Sequence, residues 1–381
     1  MKHCIYLDHA ATTGVRKEVL EAMLPYFSEH PGNPSARYHP GQTARKAITD
    51  ARERIAALLH AEPEEIFFTS GGSESDNWVI KMCLPGDYRR QPHIITTAIE
   101  HPAVKNSCRF LEEHGCAVTW IRPQSDGLLR PNDIAAAIRP ETVLLSIQYA
   151  NNEIGTIQPL EEIGAIAKCA GVPLHTDAVQ ALGQIPIHFD TLPVQYLSAS
   201  AHKVGGPKGV GLLYCRKGFA LPPLIHGGAQ EFSRRAGTEN VPGIIGFARA
   251  LELMCAEQQQ RFRKLSRLRD DFARFLQQEI PGCRINGTMS PRLPGNLNVT
   301  FPGSDGTALL QLLDMRGICV SGGSACASSD PAPSHVLTAI GVSPEDARCT
   351  LRFSLGCENT KEELAYTCYI LKQAICQLHP M

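Results

Sequence analysis

Pro173-Leu-His-Thr-Asp-Ala-Val-Gln180 and Tyr196-Leu-Ser-Ala-Ser-Ala-His-Lys203 each begin as a short apolar run and end in groups that carry charge or bind phosphate. A run of that length, flanked by polar turns, reads as a buried strand. The same texture recurs at Ile66–Thr69, His93–Thr97, Val118–Ile121, Val143–Tyr149 and Gly211–Cys215. Segments with helical spacing lie between several of them, including Ala103–Glu113 and Leu160–Cys169. This alternation predicts an α/β fold: a mainly parallel central sheet covered by helices on both faces. Ligands of such sheets bind beyond the carboxyl ends of the strands, which is where the polar ends of both quoted stretches fall.

Past Val241 the pattern changes. Residues 242–279 read as a long, charged, amphipathic helical stretch, broken at most once, with Arg261, Arg263, Lys264 and Arg267 on a solvated face. A strand at Asn296–Phe301, a helix near Ala308–Met315, a Gly/Ser-rich loop at Ser321–Ser329, a strand at Thr350–Ser354 and a helix from Lys361 follow. These make a second, smaller α+β unit.

The 381 residues include 37 basic and 38 acidic side chains, for a formal charge of −1, and are 43% apolar. That balance argues against direct binding of nucleic acid or an anionic membrane. No stretch approaches the ~20 apolar residues that span a bilayer. Met1 to Thr13 lacks a signal-type apolar core, so the expected location is the cytoplasm. The 14 cysteines are scattered, without a CxxC pair or zinc-ligand spacing, and no metal site is expected. They are expected to be reduced thiols, most of them small core residues. Cys83, Cys108 and Cys169 sit in apolar helical patterns, and Cys319 reads as core.

The polar strand ends carry the chemistry. A lysine at a buried strand end is costly without a partner or a task. Lysine forms Schiff bases with carbonyl cofactors, and desolvation helps by lowering its pKa. Ser200 and His202 beside Lys203 suit a phosphate; a surface Lys-Gly loop is the other reading. Asp177 placed against a pyridine nitrogen would keep it protonated and make the ring an electron sink. Taken alone, Asp177 also reads as a helix cap. Gln180 follows one turn on. In Thr69-Ser-Gly-Gly-Ser-Glu-Ser-Asp76 a strand runs into a glycine pair and a helix. Gly71 and Gly72 allow close backbone approach, and Ser73 sits at the free N–H groups of the helix start. Such a turn is a weak signal by itself. The absence of GxGxxG and GxxxxGKS/T disfavours a dinucleotide or nucleoside triphosphate. His101, in Ile99-Glu-His-Pro102, has an imidazole suited to stacking on a flat ring and to proton transfer; a satisfied residue at a helix start is the alternative. Asn152 suits a ring oxygen or a carboxylate.

Together these residues resemble the cysteine desulfurases, the NifS/IscS-like group of class V aminotransferase-fold enzymes. The resemblance covers nearly the whole chain. It also includes Tyr6-Leu-Asp-His-Ala-Ala-Thr-Thr13, Gly32-Asn-Pro-Ser35, Asn151-Asn-Glu-Ile-Gly155, Arg235-Ala-Gly-Thr238, Ser321-Gly-Gly-Ser-Ala-Cys326 and Arg352-Phe-Ser-Leu-Gly356. It implies the pyridoxal-phosphate fold type I, with residues 14–258 as the large domain. Residues 1–13 plus 259–381 would form the small domain, carrying a reactive-cysteine loop at 321–333.

The resemblance also implies roles. Lys203 would hold pyridoxal 5'-phosphate covalently, Asp177 would pair with its ring nitrogen, Gln180 would touch the ring hydroxyl oxygen, and His101 would stack on the ring and move protons. Gly72, Ser73, Ser200 and His202 would take the phosphate, and Asn152 would also contact the cofactor. Ser73 stands where threonine is common, which keeps a hydroxyl. Thr238 would reach the phosphate in the other subunit of a homodimer. Asn33, Asn152 and Arg352 would hold the carboxylate of L-cysteine, the guanidinium gripping it bidentately. Cys326, in a loop of small residues that should be mobile, would take the sulfur as a persulfide, with its thiolate as nucleophile. The sulfur would pass to an iron–sulfur scaffold or a tRNA thiolase. The sequence ends at Met381, without the tail with which IscS-like enzymes dock a scaffold, which counts against that partner, and the run Arg234-Arg-Ala-Gly-Thr-Glu-Asn-Val-Pro242 resembles relatives that feed tRNA thiolation, which keeps the thiolase route open. An aminotransferase or selenocysteine lyase on the same fold is the alternative activity. A catalytically silent scaffold is opposed by the presence of Lys203, Asp177 and His101 together.

Overall fold

The computed structural model describes residues 4–83, 91–322 and 333–378. Its main sheet has seven strands, in spatial order Ile66–Thr69, Gly211–Cys215, Tyr196–Ser200, Leu174–Asp177, Thr142–Ser146, His93–Thr97 and Ala117–Ile121. Gly211–Cys215 is antiparallel to both of its neighbours, and every other pairing is parallel.

Both faces are buried, and the pleat shows why. Phe68, Ile95, Leu145, Leu197 and Leu212 point into one cluster, with residues of the helices His39–Leu59, Leu160–Ala170 and the first part of Val241–Glu279. Their chain neighbours Phe67, Ile94, Leu144, Tyr196 and Leu213 point into another, with residues of Gly72–Lys81 and Pro102–Glu113. Alternating side chains of one strand thus feed opposite cores, which explains the nearly continuous apolar runs.

A separate core joins Leu265, Phe272 and Leu276 to Leu297, Val299, Leu313, Phe353 and Leu371, and it takes in Ile5 and Leu7. Here Ser321–Gly322, Thr350–Ser354, Asn296–Thr300 and Arg284–Ile285 form an antiparallel sheet in that order. Ile5–Tyr6 pairs in parallel with Ile318–Cys319. The chain start is therefore built into the second unit.

One expectation is sharpened and three change. The charged stretch is one unbroken helix of 39 residues, Val241–Glu279, whose first half packs on the large core and whose second half packs on the smaller one. The run at Val143–Tyr149 is a regular strand only over Thr142–Ser146; beyond it the Ile147 and Tyr149 N–H groups still donate to the His175 and Asp177 carbonyls, while the Gln148 N–H turns to the Glu100 carboxylate at 3.0 Å. Cys169 is exposed, not core: Leu160, Ile163, Gly164 and Ala167 form the buried stripe of its helix and Cys169 lies off it. Cys319 likewise is only partly buried, with its Sγ 3.3 Å from that of exposed Cys4.

Candidate active site

The sheet register assembles the site. Thr69 lies opposite Gly211, Gly211 opposite Ser200, and Ser198 opposite Asp177, all at the carboxyl edge of the parallel strands. Asp177 ends its strand almost fully buried, and its Oδ1 accepts the Val179 N–H at 2.9 Å. Burial raises its carboxyl pKa above the ordinary range, while His101 and Lys203 pull it back. Lys203 closes the short turn Ala201–Lys203; its Nζ donates to the Ala10 and Ala11 carbonyls at 2.6 and 2.7 Å. The Gln180 Nε2 donates to the same Ala10 carbonyl at 2.9 Å.

His101 is the N-cap of the helix Pro102–Glu113 and its Nδ1 accepts the Ala103 N–H at 3.2 Å. That contact leaves the proton of the neutral ring on Nε2. Burial lowers the imidazole pKa; Asp177 opposes this and Lys203 adds to it. Donor atoms of His101, Asp177 and Asp76 all lie within 4.8 Å of one another.

Asp76 was not singled out by the sequence reading. It sits fully buried on the helix Gly72–Lys81, with its carboxyl pushed well up by burial and then by Asp177. Its Oδ1 has no hydrogen-bond partner among the described residues. Two buried carboxylates this close cannot both ionise cheaply. Fully buried His175 lies 3.6 Å from Asp76 but does not supply the charge: burial drives its pKa down to about 3, and its ring bonds Ser146 Oγ at 2.9 Å and Ser198 Oγ at 3.0 Å. A further positive charge beside Asp177 would ease the repulsion between the two carboxylates. A protonated pyridine nitrogen supplies one.

The phosphate end fits as well. No side chain among the described residues caps the first turn of Gly72–Lys81, so its amide donors and positive dipole end remain for an anion. The glycines are required here: a Cβ on Gly72 would stand 2.5 Å from Val179 Cγ2, and one on Gly211 2.5 Å from the Gly71 Cα. Ser200 Oγ adjoins Gly71, and His202 Nδ1 lies 3.1 Å from Thr12 Oγ1. Burial, helped by Lys203 and Lys208, brings the His202 pKa down to about 4.

A second group sits where the two cores meet. Arg352, 1% exposed on Thr350–Ser354, donates from Nη2 to Asp8 Oδ1 at 2.7 Å and from Nη1 to the Asn152 carbonyl at 3.2 Å. Its buried Nε has no acceptor among the described residues. Asn152 is further fixed by Asn296, whose Nδ2 donates to the same carbonyl at 3.3 Å. Asn33 is exposed in the loop before His39–Leu59; its Oδ1 accepts the Ser35 N–H at 2.9 Å, and no hydrogen bond among the described residues joins it to Arg352. Thr238 is exposed in a cleft with Ser70, Gly209 and Glu239. The adjacent Arg235–Glu74 pair, 2.8 Å, ties that loop to the helix that starts at Gly72.

Cys326 lies outside the described residues. The residues flanking its segment touch both groups. Ser321 is the register partner of Arg352. Ser334 Oγ donates to Glu153 at 2.5 Å, and His335 Nε2 lies 2.9 Å from the carbonyl of Glu100, the residue before His101.

The sequence model of the aminotransferase class-V family matches residues 5–366. The cysteine desulfurase IscS of Dictyoglomus turgidum is 49% identical over 99% of this chain and 96% of its own. A solved NifS-like protein superposes with a TM-score of 0.93 at 39% identity, covering 99% of this chain and all of the other. A solved SspA in complex with cysteine superposes with a TM-score of 0.82 at 40% identity, covering 92% of this chain and 98% of its own. With the acid, lysine and imidazole gathered at one sheet edge, these likenesses place the chain in the aminotransferase class-V family, among its NifS/IscS-like cysteine desulfurases.

Proposed function

We propose that this protein takes the sulfur from L-cysteine, releasing L-alanine and leaving a persulfide on Cys326. The observation that carries the reading is the convergence of Lys203, Asp177 and His101 at one strand edge, with the flanks of the 323–332 segment contacting that edge and Arg352.

Pyridoxal 5'-phosphate, when bound, supplies the electron sink that loosens bonds at the substrate's α- and β-carbons. Lys203 holds it covalently, Gly72, Ser73, Ser200 and His202 take its phosphate, and Asp177, Gln180 and Asn152 fix the ring. Asp177 also keeps a positive charge at the ring nitrogen. His101 stacks on the ring and moves the proton at Nε2. Arg352, Asn152 and Asn33 hold the substrate carboxylate. The Cys326 thiolate attacks the substrate sulfur. An S–S bond forms as the C–S bond breaks; the electron pair stays with carbon, which takes up a proton.

Thr238, exposed beside the phosphate end, reaches the cofactor of a second subunit, so the working unit is a homodimer. The division at residues 258/259 falls inside the continuous helix Val241–Glu279, between its two core-facing halves. The sulfur passes to an iron–sulfur scaffold or a tRNA thiolase. Among the described residues no helix is long and apolar enough to cross a membrane, in keeping with a cytoplasmic setting. Incubation of the cofactor-loaded enzyme with L-cysteine tests the reading: alanine appears, and mass spectrometry finds one added sulfur on the Cys326 peptide. Cys326→Ser keeps the cofactor colour and loses both products. Undiminished alanine release by that variant would overturn it.

A further inference from the structure

Among the described residues, only two groups of three His, Cys, Asp or Glu side chains bring their donor atoms within 4.8 Å of one another. One is Asp76, His101 and Asp177, already described. The other is His60, His188 and Asp190, all exposed. We propose that these three bind a divalent transition-metal ion, with Zn²⁺ as the type case and a fourth position open to water.

The donors sit on two short segments fastened together one residue from each ligand. His60 follows the last turn of His39–Leu59, and its backbone, φ 54 and ψ 51, is left-handed. Glycine or asparagine ordinarily takes that conformation at a helix end, so a histidine there is retained at some cost. His188 and Asp190 lie in a turn in which the N–H groups of Thr191 and Leu192 both donate to the His188 carbonyl, at 3.2 and 2.9 Å. Phe189, between the two ligands, donates its N–H to the Leu59 carbonyl at 2.8 Å. Its buried ring stacks on Tyr214 at 3.9 Å, and Arg216 Nη2 donates to the Phe189 and Leu192 carbonyls at 2.5 and 2.9 Å. The backbone of the cluster is thus pinned while its side chains stay reachable from water.

The spacing suits a tetrahedral ion. Zinc bonds of about 2.0–2.2 Å to nitrogen and oxygen give tetrahedron edges of about 3.3–3.5 Å. His60 Nδ1 and Asp190 Oδ2 are 3.3 Å apart. The His188 ring lies stacked against His60, with centroids 4.3 Å apart and planes 25° apart, so it must leave the stack for both in-plane nitrogens to face one ion. Its donor lies within 4.8 Å of the other two, so it must close by about 1.5 Å at most to complete the edges. An exposed side chain makes that move by a change of rotamer. Imidazole and carboxylate together select borderline ions of the zinc, cobalt and nickel type over calcium or magnesium. Both segments lead into the amino ends of strands, Ile66–Thr69 and Tyr196–Ser200. The ion would therefore sit at the sheet edge opposite Lys203, where it clasps two segments and leaves the reaction alone.

Titrating the pyridoxal-phosphate-loaded enzyme with Co²⁺ tests the proposal, because nitrogen and oxygen ligands are spectroscopically distinct from thiolates. His60→Asn keeps a residue that tolerates the left-handed backbone, and His188→Gln alters only an exposed side chain. The parent is expected to take up one more Co²⁺ per chain than either variant, with visible bands that both variants lack. Zn²⁺ is expected to raise the parent's Tm and not theirs, while turnover of L-cysteine without added metal is the same in all three. Equal metal uptake by the parent and both variants would overturn the site.

Discussion

The carboxyl edge of the main sheet and the junction around Arg352 both belong to the proposed active site, but they are built differently. At the sheet edge each group is the end of its own local element: Asp177 closes a strand, Lys203 follows one, and His101 caps a helix. At the junction nothing is local. Arg352 is held by Asp8, 344 residues away, and by Asn152, 200 residues away. On the proposed reading the sheet edge would hold the cofactor on a rigid parallel framework, and the junction would hold the substrate between two hydrophobic cores. Damage to the first should abolish the chemistry, and damage to the second should chiefly weaken substrate use.

The largest effect expected is at the sheet edge. Lys203→Ala should lower turnover of L-cysteine by about 10⁴-fold, the scale seen when a group in direct contact with the reacting atoms is removed. The variant should still bind pyridoxal 5'-phosphate through the phosphate and ring contacts, and absorbance measured after gel filtration reads this. Turnover near that of the parent would break the assignment of the sheet edge.

Arg352→Ala should cost less and in another parameter. A charge-assisted hydrogen bond is worth about 1.5–3 kcal/mol, or roughly 10–150-fold in kcat/KM, most of it in KM. Asp8→Asn should be milder still. It keeps the side chain's shape but removes the charge that orients the guanidinium at 2.7 Å. KM should rise about threefold to tenfold with kcat nearly unchanged, as expected for losing a hydrogen bond of about 1 kcal/mol. A fall in kcat at constant KM in either variant would move Arg352 from substrate holding to the chemical step.

What the sequence disclosed follows the same division. The strands Ile66–Thr69, His93–Thr97, Gly211–Cys215 and Thr350–Ser354 were legible to the residue, because burial on both faces writes an apolar run with polar ends. Asp177, His101 and Lys203 were legible as strand-end polar residues, and the family resemblance gave Arg352. The Asp8–Arg352 pair, and the part of Ala10 and Ala11 in holding the Lys203 amine, were not. No local pattern shows that the first residues of a chain pair with Ile318–Cys319. Asp76 was hidden differently. It lies within a quoted motif, but only the packing of its helix against Asp177 makes it a second buried acid.

The smallest effect expected is one of stability, and it tests whether Glu100, buried beside the sheet edge, is kept neutral by the fold. Glu100 accepts from the Thr97 hydroxyl at 2.7 Å and from the Gln148 N–H, and burial pushes its carboxyl up to about 8. The unfolded chain releases that proton near pH 4.3. Below that pH both states hold it and Glu100 costs nothing. As pH rises towards 8, the unfolded state has lost the proton while the fold retains it, so stability falls over this interval and then levels off. Buried His175 and half-buried His202 act from the other side: their lowered pKa values weaken the fold as pH drops below the ordinary histidine range near 6.5. Glu100→Gln keeps an acceptor for both donors and cannot titrate. Its Tm should gain on the parent's steadily between about pH 5 and 8, with the acid-side decline unchanged. Glu153, raised by burial to about 7, should leave part of the alkaline decline in place. Parallel Tm curves for parent and variant across that range would mean that Glu100 is ionised in the fold, and that the edge beside His101 is wetter than its burial implies.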